Sequence, residues 1–263
     1  MNAIPVALSI AGSDSGGGAG IQADLLTFAA CGVYGTTAIT CLTAQNPSGV
    51  SGIHAAPGAF VREQAEQVAK FFPVAAVKSG MLLNVDIIGA VAGFLSAHPQ
   101  IPYVLDPVMV ASSGARLLDE AALDALRQKL IPRAALVTPN LDEAAILMGR
   151  RPSGSPPAQT ADAVSLAQKL GVPVLLKGGH AAGTDTLTDV LATPAGDTRV
   201  FTAARHPHID THGSGCTLAA AIAAHIARGR PLAEAVAAAH AYLRHAIAAP
   251  VPVAGREYIA HLR

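Results

Sequence analysis

The sequence predicts an α/β protein: a three-layer α/β/α sandwich around a central, mostly parallel sheet. Two observations predict this class. Short apolar runs alternate with longer amphipathic or alanine-rich stretches, and 51% of the 263 residues are hydrophobic whereas only 14% are charged. Short apolar runs are typical of strands that are buried on both faces of a parallel sheet. Repeated strand-then-helix units imply right-handed crossovers, which place helices on both faces of the sheet.

Six runs are short and apolar enough to be buried strands, at residues 6–10, 36–41, 74–77, 103–105, 135–137 and 174–176. Helical spacing of apolar residues, or a high alanine content, predicts helices at residues 60–71, 86–98, 120–130, 216–228 and 232–248. The polar segment 150–159 is interpreted as a surface loop, because strand–helix units continue beyond it. We therefore expect a single domain over residues 1–263.

Composition excludes several classes of protein. The chain carries 18 Lys and Arg against 18 Asp and Glu, whereas nucleic-acid binding needs clustered basic residues. Its most apolar helical stretch, 218–227, is shorter than the roughly 20 residues of a membrane span. Three cysteines without a CxxC pair fit neither a disulfide framework nor a zinc site. Because no basic signal region follows Met1, we expect a cytoplasmic protein without a nucleic-acid or membrane partner.

A glycine-rich segment follows the first predicted strand and reads Ala11-Gly12-Ser13-Asp14-Ser15-Gly16-Gly17-Gly18-Ala19-Gly20. Ligands bind at the carboxyl ends of the strands in such sheets. The segment lacks the Lys-Ser/Thr of a P-loop and the GxGxxG spacing of a dinucleotide site. It is either a flexible turn or a loop whose backbone closely approaches a ligand or another loop. Asp24 either points back at that loop or acts as a helix N-terminal charge.

Polar or sulfur-containing side chains follow three other predicted strands. Gln45 has an amide that suits the donor and acceptor edge of a small heterocycle, or it belongs to a turn at Asn46-Pro47. Met81 either walls a pocket against a flat ring or packs in the core. Asp106 either holds a metal-bound water or caps the turn that follows it.

The segment Thr138-Pro139-Asn140-Leu141-Asp142-Glu143 permits two interpretations. Asn140 as N-cap with Glu143 three residues later is a capping box. Alternatively, Glu143 lies beside a Mg²⁺-nucleotide, where carboxylates act through metal-bound water. Lys177 ends another predicted strand in Lys177-Gly178-Gly179-His180, where it can offset phosphate charge.

The segment Asp210-Thr211-His212-Gly213-Ser214-Gly215-Cys216-Thr217 leads into an alanine-rich helix. Glycines at a helix N-terminus let backbone N–H groups converge, so we predict an anion hole for a phosphoryl group in transfer. The helix N-terminus is expected to lower the pKa of the Cys216 thiol, making it a candidate base or orienting group; an inert buried thiol is the alternative. A rival hypothesis is a transition-metal site formed along one face of an extended chain by His206, His208, Asp210 and His212.

As a set, these motifs resemble the hydroxymethylpyrimidine/phosphomethylpyrimidine kinases of thiamine biosynthesis, which belong to the ribokinase-like superfamily. The resemblance rests on residues 11–24, 44–46, 80–82, 106–109, 138–140, 177–180 and 211–217, in family order across nearly the whole chain. It implies a ribokinase-like sandwich and ATP-dependent phosphorylation of hydroxymethylpyrimidine and then of its monophosphate, with ATP and Mg²⁺ as cofactors. Two departures are small: Ser79 stands where a bulkier residue is common, and Ser214 where Thr is usual.

The resemblance also implies roles for individual residues. Gln45 would bond the aminopyrimidine edge, in a pocket shaped by Asp24, Gly12 and Met81. Gly213, Ser214, Gly215 and Cys216 would form the anion hole, and Lys177 would help to neutralise the phosphate charge; Cys216 stands where the wider superfamily has an Asp base. The Mg²⁺-ATP side would consist of Asp106, Asn140, Glu143, Lys177 and Thr211, with Mg²⁺ held through water by Asp106 and Glu143. Members of the family usually form dimers, so a homodimer is expected.

Two alternative functions remain open from the sequence. Close relatives phosphorylate pyridoxal or pyridoxine, whose ring also carries a hydroxymethyl group. A non-catalytic pyrimidine-binding sensor is the other alternative, although a sensor has no need of an anion hole. The stretch 181–188 is predicted to be a flap over the site, because glycine and short polar residues favour mobile loops.

Overall fold

The computed structural model of the chain describes residues 3–109, 118–153, 156–179, 186–206 and 209–262, apart from the side chains of residues 156 and 157. Within these residues the strands are β1 (Val6–Asp14), β2 (Tyr34–Asn46), β3 (Gly49–Ala55), β4 (Val74–Ser79), β5 (Tyr103–Leu105), β6 (Leu136–Val137), β7 (Val174–Lys177), β8 (Thr186–Ala192), β9 (Thr198–Ala204), β10 (Ile209–Asp210), β11 (Val251–Val253) and β12 (Arg256–Tyr258). The helices are α1 (Gly20–Ala30), α2 (Gly58–Phe71), α3 (Val85–Ala97), α4 (Glu120–Ala125), α5 (Leu141–Met148), α6 (Pro156–Leu170), α7 (Ser214–Ala227) and α8 (Leu232–Ala248). A π-helical turn (Leu126–Leu130) and a 3-10 turn (Ile131–Arg133) continue α4.

Nine strands form one sheet in the order β3-β2-β1-β4-β5-β6-β7-β8-β9. The six strands β2-β1-β4-β5-β6-β7 at the centre of this order are parallel to their neighbours. The pairs β2–β3, β7–β8 and β8–β9 are antiparallel. The six predicted strands are the six parallel strands at the centre of this sheet. The predicted α/β class with a mostly parallel sheet is therefore confirmed.

Each face of the sheet carries a helical layer with its own apolar core. Leu8 and Ile10 of β1 belong to the core on the side of α2 to α6. Ala7 belongs to the opposite core, where it is joined by Phe28 of α1 and Val236 of α8. Successive side chains of a strand point to opposite faces, so a strand that is buried on both faces binds the two layers together.

Two boundary predictions are wrong. β2 continues to Asn46, because antiparallel pairing with β3 extends its ladder, so Gln45 is a strand residue and the turn begins at Pro47. α6 begins at Pro156, inside the predicted loop 150–159. Proline is tolerated at the first helical position because its missing N–H would have no partner there. Residues 181–185 of the predicted flap lie outside the described residues. Its last three residues, 186–188, belong to β8, which pairs with β9.

A second, three-stranded sheet has the order β10-β12-β11 and joins the C-terminal segment to the chain just before α7. Its parallel pair aligns Asp210 with Tyr258. The C-terminal segment thereby reaches the motif that the sequence predicts to be an anion hole. Within the described part of the chain, every helix falls short of the length and apolar character that crossing a membrane requires.

Candidate active site

The predicted site residues gather where the parallel strands end. β1 lies between β2 and β4 in the sheet. The chain continues from β1 to β2 on one side, and from β4 to β5 on the other. Such a reversal of strand order opens a crevice at the carboxyl edge, where open α/β sheets bind ligands. The ends of β5, β6 and β7 continue the same edge.

Lys177 and Asp106 form a buried ion pair at this edge. Lys177 Nζ lies 2.9 Å from Asp106 Oδ1, which also accepts a hydrogen bond of 3.0 Å from the Thr138 hydroxyl. Burial alone would raise the pKa of Asp106, but Lys177 and Lys78 outweigh it and lower that pKa. Burial alone would lower the pKa of Lys177, but Asp106 and Glu143 raise it. Both groups are therefore charged near neutral pH.

Asn140 and Glu143 make the capping box that their spacing predicts. The Asn140 side chain accepts from the Glu143 N–H at 2.9 Å, and the Glu143 carboxylate accepts from the Asn140 N–H at 2.9 Å. The capping box is compatible with the other interpretation, in which Glu143 lies beside a Mg²⁺-nucleotide, because Glu143 also interacts electrostatically with Lys177 and Asp106. Burial raises the pKa of Glu143 despite the opposing charge of Lys177. The Lys177 N–H donates to Pro139 O at 2.9 Å, which fixes the two motifs together.

The turn formed by residues 213–216, here called the anion turn, opens α7. Gly213 is the N-cap with a φ of 81°, a left-handed conformation that suits glycine. A Cβ atom placed on Gly215 would lie 3.2 Å from Lys177 Nζ and 3.9 Å from Asp106 Oδ2. The anion turn therefore lies directly beside the Lys177–Asp106 pair. The start of α7 therefore brings together the free N–H groups of the helix, the positive end of the helix dipole and the buried Lys177 cation.

Residues 14–20, here called the glycine loop, pack against the anion turn. A Cβ atom on Gly213 would overlap Gly18 O, and one on Gly18 would lie 2.9 Å from His212 Cδ2. The Asp14 carboxylate accepts hydrogen bonds from the N–H groups of Gly16 and Ala19 within the loop. Of the two interpretations of this segment, the structure shows a loop whose backbone closely approaches another loop.

Cys216 is half-buried in the first turn of α7, and its expected pKa is wrong in sign. Burial raises the pKa of the thiol, and the lowering effect of Lys78 does not compensate. Asp24 and Asp106 raise it further. The helix N-terminus alone would lower the pKa, but surrounding carboxylates and poor solvation dominate at this position.

Gln45 lies at the tip of the β2–β3 hairpin and faces the anion turn. Its Nε2 atom is 3.0 Å from His212 Nε2, which in turn lies 3.1 Å from Asp14 Oδ2. The hairpin is also fastened to the glycine loop, because Gln45 N donates to Ser15 Oγ at 2.8 Å and Ser15 Oγ donates to Gln45 O at 2.7 Å. Gln45, the glycine loop and the anion turn thus form one connected wall.

Asp24 is completely buried beneath the site, so neither interpretation made from the sequence describes it. Lys78 Nζ donates to both Asp24 carboxylate oxygens at 2.9 Å, and Ser9 Oγ donates to Asp24 Oδ2 at 2.5 Å. The Asp24 charge holds the pKa of Lys78 well above its usual range despite burial. Asp24 therefore lies below the pocket and acts on it through its pair with Lys78 and through its charge near Cys216.

Gly12 and Met81 lie together above this buried ion pair. A Cβ atom on Gly12 would lie 2.8 Å from Cys41 Sγ and 3.8 Å from Met81 Cβ, so the position leaves no room for a side chain. Met81 is half-buried, and its carbonyl accepts from the Thr40 hydroxyl at 2.7 Å. This placement is compatible with the interpretation of Met81 as a pocket wall.

The remaining predictions concern Thr211 and the histidine cluster. Thr211 is exposed, and its carbonyl accepts from the Ser214 N–H at 3.0 Å. Asp210 accepts from the His212 N–H and lies 3.8 Å from Arg256, whereas His208 lies outside the described residues. No cluster of three or more His, Cys, Asp and Glu suited to a metal occurs among the residues that the structure describes.

Buried opposite charges beside a glycine-rich helix start, at the carboxyl edge of a parallel sheet, define a class of protein: a phosphotransferase for small molecules. Comparison with known families gives the particular family. The family model described as phosphomethylpyrimidine kinase matches residues 14–260, and the chain belongs to this family.

Individual relatives agree with this assignment. The hydroxymethylpyrimidine/phosphomethylpyrimidine kinase of Rhizobium meliloti is 48% identical over 245 residues, which cover 93% of this chain and 91% of that protein. The thiamine biosynthesis bifunctional protein ThiED of Geobacter sulfurreducens is 46% identical over 94% of this chain, which spans only 50% of that longer protein. The pyridoxal kinase of Bacillus subtilis, solved as an ADP complex, has a TM-score of 0.87 and 34% identity, covering 98% of both chains. The ribokinase-like fold is confirmed, and the chain is a kinase.

Sequence reasoning missed several residues that the structure places at or beneath the site. Lys78 was visible in the segment Lys78-Ser79-Gly80-Met81, but its partner Asp24 lies 54 positions away. The link from Asp14 to His212 spans 198 positions. A lysine at the end of a buried strand indicates an acidic partner elsewhere in the chain, because an unpaired lysine is almost never fully buried.

Proposed function

We propose that this kinase transfers the γ-phosphoryl group of ATP to the 5-hydroxymethyl oxygen of 4-amino-5-hydroxymethyl-2-methylpyrimidine, and then to a phosphate oxygen of the resulting monophosphate, in thiamine biosynthesis. The observation that carries the proposal is the position of Lys177 Nζ beside Gly215 of the anion turn. In both steps an acceptor oxygen bonds to the γ-phosphorus, the bond from that phosphorus to the bridging oxygen breaks, and ADP leaves. Phosphoryl transfer depends mainly on positioning and on neutralising charge, which this arrangement supplies.

The proposed anion hole consists of Gly213, Ser214, Gly215 and Cys216. Their backbone N–H groups at the start of α7 would donate to the oxygens of the transferred group. Lys177 would add a positive charge that Asp106 holds in place at 2.9 Å. Because that pair is buried and Thr138 also bonds Asp106, the charge is held in a fixed place and little reorganisation is needed at the moment of transfer.

Cys216 is proposed to orient the acceptor oxygen rather than to act as a thiolate base. Burial raises the pKa of its thiol, so the protonated form predominates near neutral pH. A thiol is a weak donor and acceptor that can hold a hydroxyl group without taking its proton. The proton of the hydroxymethyl group would then leave late in the transfer, when the bond to phosphorus has formed, and pass to an oxygen of the transferred phosphoryl group or to water.

The Mg²⁺-ATP side is proposed to comprise Asp106, Asn140, Glu143, Lys177 and Thr211. Asp106 and Glu143 fit Mg²⁺ held through water, because carboxylate oxygens are its usual protein ligands and both groups interact with Lys177. When bound, Mg²⁺ would neutralise phosphate charge. Asn140 keeps the N-terminus of α5, and with it Glu143, in place through the capping box.

The pyrimidine pocket is proposed to lie between Gln45, Gly12 and Met81. The Gln45 amide would bond the aminopyrimidine edge, and Met81 would contact the flat ring. Gly12 would shape the pocket by letting the backbone pack closely against Cys41, where a Cβ atom would clash. Asp24 would support the pocket from below through its pair with Lys78.

Pyridoxal phosphorylation is the second candidate function. It is supported by the likeness to the Bacillus subtilis pyridoxal kinase over 98% of both chains. The pyrimidine is preferred because the Rhizobium meliloti relative, named for pyrimidine kinase activity, is 48% identical against 34% for the pyridoxal kinase.

A steady-state assay of ADP release decides between them. Purified protein with Mg²⁺-ATP is compared on hydroxymethylpyrimidine, its monophosphate and pyridoxal. We expect turnover of both pyrimidines, with a kcat/KM for pyridoxal at least tenfold lower. Pyridoxal as the best substrate would assign the protein to vitamin B6 salvage instead.

We further propose that the chain forms one kinase domain and a homodimer in the cytoplasm. β3 is an edge strand, and the β2–β3 hairpin exposes Leu42, Val50 and Ile53 by 53%, 48% and 44%. An exposed edge strand with apolar side chains offers a surface on which another chain can pack. Light scattering after gel filtration should give the mass of a dimer, and Leu42→Lys should shift it toward a monomer. A monomer mass for the wild type would contradict the proposed homodimer.

The three free cysteines support the cytoplasm as the location of the protein.

A further inference from the structure

The C-terminal segment 256–262, here called the C-terminal strap, contacts the chain on both sides of the anion turn. Before the turn, β12 pairs with β10, and Arg256 lies 3.8 Å from Asp210. After the turn, His261 Nε2 lies 3.0 Å from the Thr217 hydroxyl in the first turn of α7. A terminal segment far from the predicted motifs thus holds both ends of the proposed anion hole.

The strap is itself anchored in the helical layer. The Tyr242 hydroxyl donates to His261 O at 2.8 Å, and the Ala260 N–H donates to Ala246 O at 3.0 Å. Ile259, Ala260 and His261 are all buried. Two bonds to α8 therefore fix the backbone that carries the His261 side chain.

Thr217 transmits this position to the anion turn. Its side chain is completely buried, and its hydroxyl donates to Gly213 O at 2.9 Å. A hydroxyl group has one hydrogen, so when Thr217 Oγ1 donates to Gly213 O, the 3.0 Å bond to His261 requires the proton on His261 Nε2. In that tautomer the three groups form a chain of hydrogen bonds from His261 through Thr217 to Gly213. Gly213 has a left-handed φ of 81°, and its carbonyl orientation sets where the following N–H groups point.

We infer that His261 and Thr217 are positioning residues for phosphoryl transfer, which hold the Gly213 peptide so that the anion-turn N–H groups converge on the transferred group. This inference rests on the proposed role of residues 213–216 as the anion hole. Neither residue needs to touch the substrate or ATP. Misplacing oriented donors by a fraction of an ångström lowers kcat more than it changes ground-state binding.

Single and double variants test the inference through kcat and KM. Thr217→Val removes the hydroxyl at nearly constant shape, and His261→Phe keeps a ring without a donor. Each should lower kcat about tenfold, with KM for ATP and for the pyrimidine within about twofold. Thr217→Ser, which restores a hydroxyl, should recover most of kcat. The double variant should be no slower than the slower single variant, because both changes break one chain of bonds.

Thr36→Val is the matched control. Thr36 is a buried threonine whose hydroxyl donates to Ala7 O at 2.9 Å, and it lies away from the anion turn. It should lose thermal stability without losing kcat. Wild-type kcat in both Thr217→Val and His261→Phe, or fully additive losses in the double variant, would overturn the inference.

Gly215→Ala separates the inference from the role on which it rests. The added methyl would lie 3.2 Å from Lys177 Nζ, inside the proposed anion hole. If Gly215→Ala kept wild-type kcat, the anion-hole assignment would be wrong and the inference would fall with it. If Gly215→Ala lost activity while Thr217→Val and His261→Phe did not, only the role of the C-terminal strap would be wrong.

Discussion

Lys177 Nζ lies 2.9 Å from Asp106 Oδ1 although the two residues are 71 positions apart in the chain. The pair forms because β5 and β7 end at the same edge of the sheet, on either side of β6. It places a fixed positive charge beside the anion turn, and the proposed chemistry depends on that charge.

Replacing Lys177 by Met should lower kcat by a factor of about 10² to 10³, because the lost charge acts on the transition state more than on bound ATP. KM for ATP should change much less. Lys169→Met is the control, since Lys169 is exposed and bonds only to Met148 O in the described structure. Steady-state kinetics of both variants check this. A Lys177→Met enzyme whose defect lies wholly in KM would show that Lys177 only binds nucleotide.

The buried Lys78–Asp24 pair should behave as one unit in stability. Asp24→Asn or Lys78→Met alone leaves a buried group without its partner and should lower the free energy of unfolding by about 3–5 kcal/mol. The double variant should lose less than the sum of the singles. Glu66→Gln, which weakens the solvent-exposed contacts of Glu66 with Arg62 and His98, should cost about 1 kcal/mol or less. Urea unfolding checks this, and equal losses for Asp24→Asn and Glu66→Gln would contradict it.

Gln45→Ala should reduce specificity for the pyrimidine. The loss of its amide should lower kcat/KM for hydroxymethylpyrimidine by roughly 10- to 100-fold and leave KM for ATP unchanged, because an unpaired polar edge of the bound ring is costly. Asn46→Ala provides a neighbouring control, since Asn46 is exposed and accepts from the Ser48 N–H in the turn. If both variants showed equal losses, a disturbed hairpin rather than a missing amide would explain them.

Cys216→Ser should keep the shape of the wild-type pH–rate profile between pH 6 and 9. Burial raises the pKa of the thiol, so neither enzyme relies on an ionised side chain at this position. The serine hydroxyl can orient the acceptor, and we expect kcat within about tenfold of the wild type. A wild-type kcat that rises with the ionisation of a thiol, and loses that rise in Cys216→Ser, would restore the thiolate base.

Asp189 makes stability depend on pH. Burial raises its pKa from 3.8 to about 6, so the folded protein binds a proton more tightly than the unfolded chain. Its contribution to stability is therefore largest below pH 4 and falls as the pH rises to 6. Asp189→Asn, which keeps an acceptor for the Gly178 N–H, should gain stability relative to the wild type across that window. Thermal melts of both proteins from pH 4 to 7 measure the difference. A constant difference, or one that falls with pH, would contradict the prediction.

The central strands and the motif positions could be predicted because each depends on local sequence. Apolar runs gave the six parallel strands, and the spacing of Asn140 and Glu143 gave the capping box. The edge strands were missed because they are partly exposed and lack such runs; β9, for example, is exposed or half-exposed along its whole length. Long-range pairing decides such strands, and it is not visible in a single segment.

The site was predicted less completely than the fold. Charges were assigned from local position alone, and this produced the wrong direction for the pKa of Cys216 and missed the buried ion pair of Asp24 with Lys78. Both errors have one cause: Lys78, Asp24 and Asp106 come from three separate elements and act together on Cys216. The proximity of such groups exists only in the folded chain.

The most direct test of the account is to follow both transfers by ³¹P NMR in one reaction of hydroxymethylpyrimidine with Mg²⁺-ATP, using wild type and Lys177→Met. We predict that the monophosphate appears and is then converted to the diphosphate by the wild type, with both steps slowed together in Lys177→Met. Loss of one step while the other continues unchanged would contradict a single site built on Lys177, Asp106 and the anion turn.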